Sequence, residues 1–226
     1  MVILTDCRKA VLRHESPVGP LALDDLPRGN KMPLMIARLV SNWVYGGFLA
    51  AFLLLGLLPA FGQSCDLALI LVYLQLPVYM IHQLEEHDDD RFRRFINQLL
   101  GRGGDVLSKT AVFVINVPGV WGVNLLSILL AFGLDIGFGL IGVYLTLINA
   151  VVHVAQAIRL RRYNPGLITA LLLFLPVGGS ALWAITAAGR VAPGYHLMGL
   201  GSALAIHLAI VAWVGVNVFK LRADRS

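Results

Sequence analysis

Six stretches of the chain, 38–58, 67–87, 110–132, 137–158, 165–187 and 197–219, are almost continuously apolar. Each is long enough to cross a bilayer, which takes roughly 20 mostly apolar residues in a helix. Between the second and third stretches the pattern changes. In 88–100 (DDDRFRRFINQLL), Phe92, Phe95, Ile96, Leu99 and Leu100 fall at helical spacing with Arg91, Arg93 and Arg94 between them. This predicts a short amphipathic helix lying on the membrane surface, with a solvated loop as the alternative. The fold class is therefore all-α: a polytopic membrane bundle of about six transmembrane helices plus one interfacial helix. Residues 1–33 are polar and carry Pro17, Pro20, Pro27 and Pro33, so they are expected to form a flexible cytoplasmic tail ahead of one membrane domain, 34–226. Met32 and Met35 offer alternative starts just before the first span.

Charge sets the orientation. Of the 18 Lys and Arg residues, 17 fall on one side if six spans alternate, and only Arg190 falls on the other. The positive-inside rule then places both termini in the cytoplasm. The net charge of +5 belongs to residues flanking apolar runs, where anionic lipid is the natural partner. No basic stripe interleaved with aromatics is present, which excludes nucleic-acid binding. Only 14% of the residues are charged and the mean hydropathy is +0.76, against roughly 25% charged residues in soluble domains. Cys7 and Cys65 are expected on opposite sides of the bilayer, so neither a disulfide nor a cysteine metal site is expected.

The candidate chemistry lies where polar residues interrupt the spans. Two of the three Glu residues are adjacent at the end of the second span, in His82-Gln83-Leu84-Glu85-Glu86-His87. On a helix His82 lies one turn from both Glu85 and Glu86, and Gln75 and Tyr79 continue the same face. The fourth span carries Thr146, Asn149, His153 and Gln156 at helical spacing, the third Asn116, Asn124 and Ser127, and the sixth His207. His82 and His153 each lie about five residues, roughly 7 Å, from the cytoplasmic ends of their spans. Asn116 lies at a similar depth.

Ionisable groups are costly in a membrane and usually face a bundle interior with partners. Adjacent carboxylates repel each other unless one is protonated or a cation intervenes, and no Lys or Arg lies in the interior of a span to serve. A divalent metal answers this. His82, Glu85, Glu86 and His153 are the candidate ligands for zinc or iron, with Glu85 or Glu86 free to act as catalytic base. Tyr79, Asn116, Asn149, Gln156 and His207 are the candidates to orient ligands or hold substrate. The plainer readings are a solvated helix end at Glu85–His87, a solvated acidic run at Asp88–Asp90, and hydrogen-bonded structural roles for His153 and His207. His14, His87 and His196 fall near or outside span ends. Trp43, Tyr45 and Trp183 read as interface anchors, and Asn164-Pro165 as the cap and first turn of the fifth span.

His82-Gln83-Leu84-Glu85-Glu86 resembles the defining motif of the His-x-x-Glu-Glu (HXXEE) family of integral membrane proteins. Further likenesses follow in order: Asn116 in Val-Ile-Asn-Val, Asn149-x-x-x-His153, and Tyr163-Asn164-Pro165-Gly166-Leu167-Ile168-Thr169-Ala170 running on to Leu173-Phe174-Leu175-Pro176. The resemblance covers roughly 38–187. It implies an enzyme without specifying a reaction, and the metal comes from the ligand types alone.

Three functions compete. The first is a metal-dependent membrane enzyme, hydrolytic or oxidative, acting on a lipid or other amphipathic molecule that arrives sideways from the bilayer. Membrane di-iron oxygenases carry many more His, which weakens the oxidative branch. The second is a transporter or ion- or proton-conducting protein using the same cluster. Against it, the polar residues gather toward one side and no internal repeat is visible. The third is a scaffold, for which little surface lies outside lipid. Membrane lipid, an amphipathic small molecule and a second copy of the chain are the expected partners.

Overall fold

The computed structural model describes residues 28–101, 104–187, 189 and 191–224. Most of the expected tail, together with Cys7 and His14, lies outside the described residues. The chain divides into two units, 1–39 and 40–226. Of the first, residues 28–39 form the beginning of helix α1, Arg28–Gly56.

The described residues contain no strand. After α1 come α2 (Leu67–His87), α3 (Arg91–Leu100), α4 (Lys109–Gly133), α5 (Leu140–Leu160), α6 (Leu167–Ala187) and α7 (Pro193–Ala223). Among the described residues, six helical segments are long and apolar enough to cross a membrane, in the positions expected from the apolar runs. The protein is a membrane helical bundle.

Helix α2 is the centre of the second unit. Of its apolar window 61% is buried, against 11% for α7, and its residues enter two core clusters, one around Val72, Leu76 and Leu140 and one around Val78, Tyr79 and Phe174. This explains why α2 can carry Gln75, His82, Gln83 and Glu86: neighbouring helices surround it and bury these side chains. Asp66 caps its start by accepting from Leu69 N at 2.9 Å.

Helix α3 is the amphipathic element expected at 88–100. Ile96 and Asn97 face inward, and Arg91, Arg93 and Arg94 pair with Asp88, Asp90 and Asp89. The acidic run thus holds the start of α3. Two consecutive left-handed residues, Asp89 and Asp90, make the bend between α2 and α3. Asn97 closes the return, accepting from Val106 N and Leu107 N and donating to Asp105 and Leu107 O.

Helices α4 and α6 each contain a π-helical stretch, Ile115–Trp121 and Ala170–Phe174. The wider turn redirects side chains locally and recurs near functional sites. Here it contributes Asn116 and Phe174. Trp43, read from the sequence as an interface anchor, is instead buried and packs at 5.2 Å from the His87 ring and 5.6 Å from Trp121. Trp183 is exposed.

Candidate metal centre

His82 is completely buried on α2. Its Nδ1 lies 2.8 Å from Thr169 Oγ1, which in turn lies 2.5 Å from Glu85 Oε2. A carboxylate only accepts and a hydroxyl has one proton. Thr169 therefore donates to Glu85 and accepts from His82 Nδ1–H, which leaves the Nε2 of His82 with a bare lone pair. That Nε2 has no hydrogen-bond partner.

His153, buried on α5, is fixed by the same logic from another direction. Asn164 Nδ2 donates to His153 O at 2.9 Å, so its amide orientation is set, and its Oδ1 at 2.8 Å accepts from His153 Nδ1–H. The second imidazole likewise presents an unprotonated Nε2. Asn164 is thus no helix cap. The residue flanking the start of α6 is Gly166, and the first helical residue is Leu167 rather than Pro165.

Both lone pairs point at one carboxylate. His82 Nε2 is 3.5 Å from Glu86 Oε2, and His153 Nε2 is 3.6 Å from Glu86 Oε1. The three ligand atoms lie within 4.8 Å of one another and all three residues are buried. Two neutral nitrogens facing an anion inside a bundle repel it unless something positive lies between. Zinc takes His nitrogen and carboxylate oxygen as ligands, the two atom types that converge here. The donor set therefore fits a divalent metal.

Two residues shape the cradle. Gly166, at φ +98°, packs its α-carbon against both rings: a Cβ there would lie 2.7 Å from His153 Cε1 and 2.8 Å from His82 Cε1. Phe174 covers the His82 ring at 4.1 Å between centroids and Tyr79 meets it edge-on at 5.9 Å.

Glu85 does not belong to the cluster, contrary to the ligand and catalytic roles expected from the sequence. One residue along a helix turns a side chain by about 100°, and Glu85 faces the beginning of α6. There it accepts from Tyr163 Oη (2.8 Å), Ile168 N (3.1 Å), Thr169 N (2.7 Å) and Thr169 Oγ1. It satisfies the free N–H groups of a helix N-terminus from a distant helix, where an anion is favoured. Partial burial and the neighbouring Glu85 carboxylate push the Tyr163 phenol up to about 12, so Tyr163 keeps its proton and remains a donor at neutral pH.

The remaining candidates divide. Tyr79, Asn116, Asn149, Gln156 and His207 all line a cavity of about 520 Å³ that also reaches Glu86. His207 Nδ1 donates to Ala203 O, 2.8 Å away on its own helix, so Nδ1 carries the proton. Asn124, Ser127 and Thr146 do not line this cavity. They tie backbone together: Ser127 Oγ donates to Phe138 O and accepts from Gly142 N, bridging the turn between α4 and α5. His196 bonds to Tyr144 at 3.1 Å.

Three further residues take part that the apolar and charge pattern does not single out. His87 is buried, with Nε2 3.1 Å from Glu86 Oε2, where the pattern suggested a solvated end. Fully buried Gln83 donates to Asn116 Oδ1 and accepts from Trp121 Nε1. Thr169 links His82 to Glu85, a role that a lone hydroxyl early in an apolar stretch does not announce.

Residues 73–184 match the model of a family described as a protein of unknown function with HXXEE motif. No curated protein and no solved structure matches the chain.

Proposed function

We propose that this chain, which belongs to the HXXEE family, is a metal-dependent membrane enzyme acting on an amphipathic substrate. The observation that carries the reading is the convergence of two imidazole lone pairs on the two oxygens of buried Glu86, at the edge of a largely apolar cavity of about 520 Å³. Two His and one carboxylate leave coordination positions open on zinc or on ferrous iron. Bound zinc would supply a Lewis acid and an activated water, and bound iron would supply oxygen chemistry.

The chain's own residues set the conditions for either. Thr169 and Asn164 hold each imidazole in the tautomer that can ligate. Gly166 and Phe174 fix where the rings stand. The apolar surroundings exclude bulk water and strengthen electrostatic interactions within the site. His87, whose Nε2 borders Glu86 and which lines the cavity, is placed to contact a substrate group held beside the metal.

The competing reading, transport, would need a polar route beyond the cluster. In that region Gln75, Asn124 and Thr146 each donate to the carbonyl four residues back on their own helix, and none lines the cavity. This arrangement favours a closed-off site over a conduit.

Elemental analysis of gently purified protein tests the proposal. One equivalent of zinc or iron per chain is expected, and its identity selects hydrolytic or oxidative chemistry. A chain that holds neither metal, as purified and after reconstitution of chelated protein with each ion, would overturn it.

A further inference from the structure

We infer that the cavity beside Glu86 binds a single-chain amphiphile whose headgroup is an uncharged oxygen function, an ester, amide, alcohol or aldehyde, and that this molecule arrives from the bilayer through a portal between α5 and α7. The place of the headgroup rests on the metal-site reading above. The chain class and the portal rest on the cavity itself.

A volume of about 520 Å³ lies within the range of sites that enclose a small molecule, roughly 300–1,000 Å³. Its walls are mainly aliphatic and come from α2, α3, α4, α5 and α7. The cavity exists because α7 changes partners along its length. Near its start α7 lies against α5, where a Cβ on Gly199 would come 2.7 Å from Leu140 O and Ala203 is fully buried. Toward its end, Val214 and Val218 pack instead against the cluster of Trp43, Ile96 and Val106, and Asn217 Nδ2 donates to Val106 O at 3.1 Å.

Between these two anchorages two cavity-lining valines are open to the outside. Val152 on α5 is 44% exposed and Val211 on α7 is 67% exposed. Both belong to segments apolar enough to lie in a membrane, so the surface they share with the cavity faces hydrocarbon. A molecule passing there must itself be lipid-soluble over most of its length.

The lining also selects the head. Among the described residues, no Lys or Arg lines the cavity. Phosphate and sulfate are recognised through such cations, and a buried anion without one is costly. With the metal bound, Glu86 would offset one of its two positive charges, and the single charge left would not neutralise a phosphate dianion. A cationic head would meet the metal at the same place. An uncharged head meets neither penalty. It finds hydrogen-bonding groups at Asn116, Asn149 and Gln156, and an acceptor at His207 Nε2, since Nδ1 is committed to Ala203 O.

The test uses three probes with one oleyl chain and different heads: oleamide, oleyl phosphate and oleylamine. Equilibrium binding is measured to the full chain in nanodiscs, alongside its metal content. Oleamide is expected to bind at least about ten-fold tighter than either charged probe, a difference of about 1.4 kcal/mol. Val211→Trp, on the portal rim, is expected to slow oleamide association about ten-fold with metal content unchanged. In metal-loaded protein, equal binding of the three probes, or tighter binding of a charged one, overturns the inference. So does a Val211→Trp variant with unaltered association. The metal reading fails separately: in protein that holds no metal, oleylamine pairs with Glu86 and binds best, and a Val211→Trp variant that still slows association keeps the cavity and portal and removes the metal.

Discussion

Gly166→Ala is expected to abolish metal binding and to lower thermal stability in the same step. Two effects combine. At φ +98° an L-residue is strained by roughly 1–2 kcal/mol, and the new methyl would stand 2.7 and 2.8 Å from the Cε1 atoms of His153 and His82. Neither ring can retreat easily. His82 is held by Thr169 and covered by Phe174, and His153 is held by Asn164. Rotating either imidazole carries its Nε2 away from Glu86. Chelator competition should show metal affinity reduced at least about 100-fold, the upper range for disturbing the support of a ligand. Gly179→Ala is the control: no atom lies within 4 Å of its Cβ position, and Ala is the better helix former. That variant should fold and bind metal as the parent does. A Gly166→Ala protein that retains full metal affinity would separate Gly166 from the site.

Glu86→Gln and Glu85→Gln, one position apart, are expected to have opposite outcomes in a metal assay. Glu86→Gln removes the anionic ligand while keeping the side chain's shape, so stoichiometric metal should be lost. Its thermal stability should also stop responding to chelator, because a ligand stabilises only the state that binds it. Glu85→Gln should retain one metal per chain. Its affinity should fall about 10–100-fold, since an amide no longer fixes the direction of the Thr169 hydroxyl. Thr169 can then donate to His82 Nδ1, which places the proton on Nε2 and disables that nitrogen as a ligand. Glu85→Gln should also cost about 1–3 kcal/mol of stability where Ile168 N and Thr169 N lose a charged acceptor. If Glu85→Gln loses metal outright while Glu86→Gln keeps it, the assignment of the two carboxylates is reversed.

This pair shows how far the sequence could be read. The six apolar helices and the amphipathic helix Arg91–Leu100 follow from apolar periodicity and are found where the pattern puts them. The alliance of His82, Glu86 and His153 was legible because two of them share a face of α2 and the third stands at matching depth on another span. The division of labour between Glu85 and Glu86 was not. Both lie within one turn of His82, and only the packing of α6 across α2 decides which one faces the rings. Asn164 has the residue type and position of a helix cap, yet its bonds run to His153 on another element. His87 looked solvated because it borders an acidic run. The left-handed bend at Asp89 and Asp90 turns that run toward the arginines of α3, and His87 stays inside. Thr169 gave no signal of its own chemistry, since a hydroxyl early in an apolar helix more often bonds to its own backbone.

The most direct test of the site is X-ray absorption at the metal edge of the loaded protein. The expected first shell contains two imidazole nitrogens and one carboxylate oxygen from the chain, with bonds of about 2.0–2.2 Å, together with lighter scattering from exchangeable oxygen. The multiple-scattering features of two imidazoles should drop to one in His153→Ala. A shell made only of oxygen, or one that keeps both imidazoles when His153 is removed, would contradict the convergence of His82, His153 and Glu86 on a single ion.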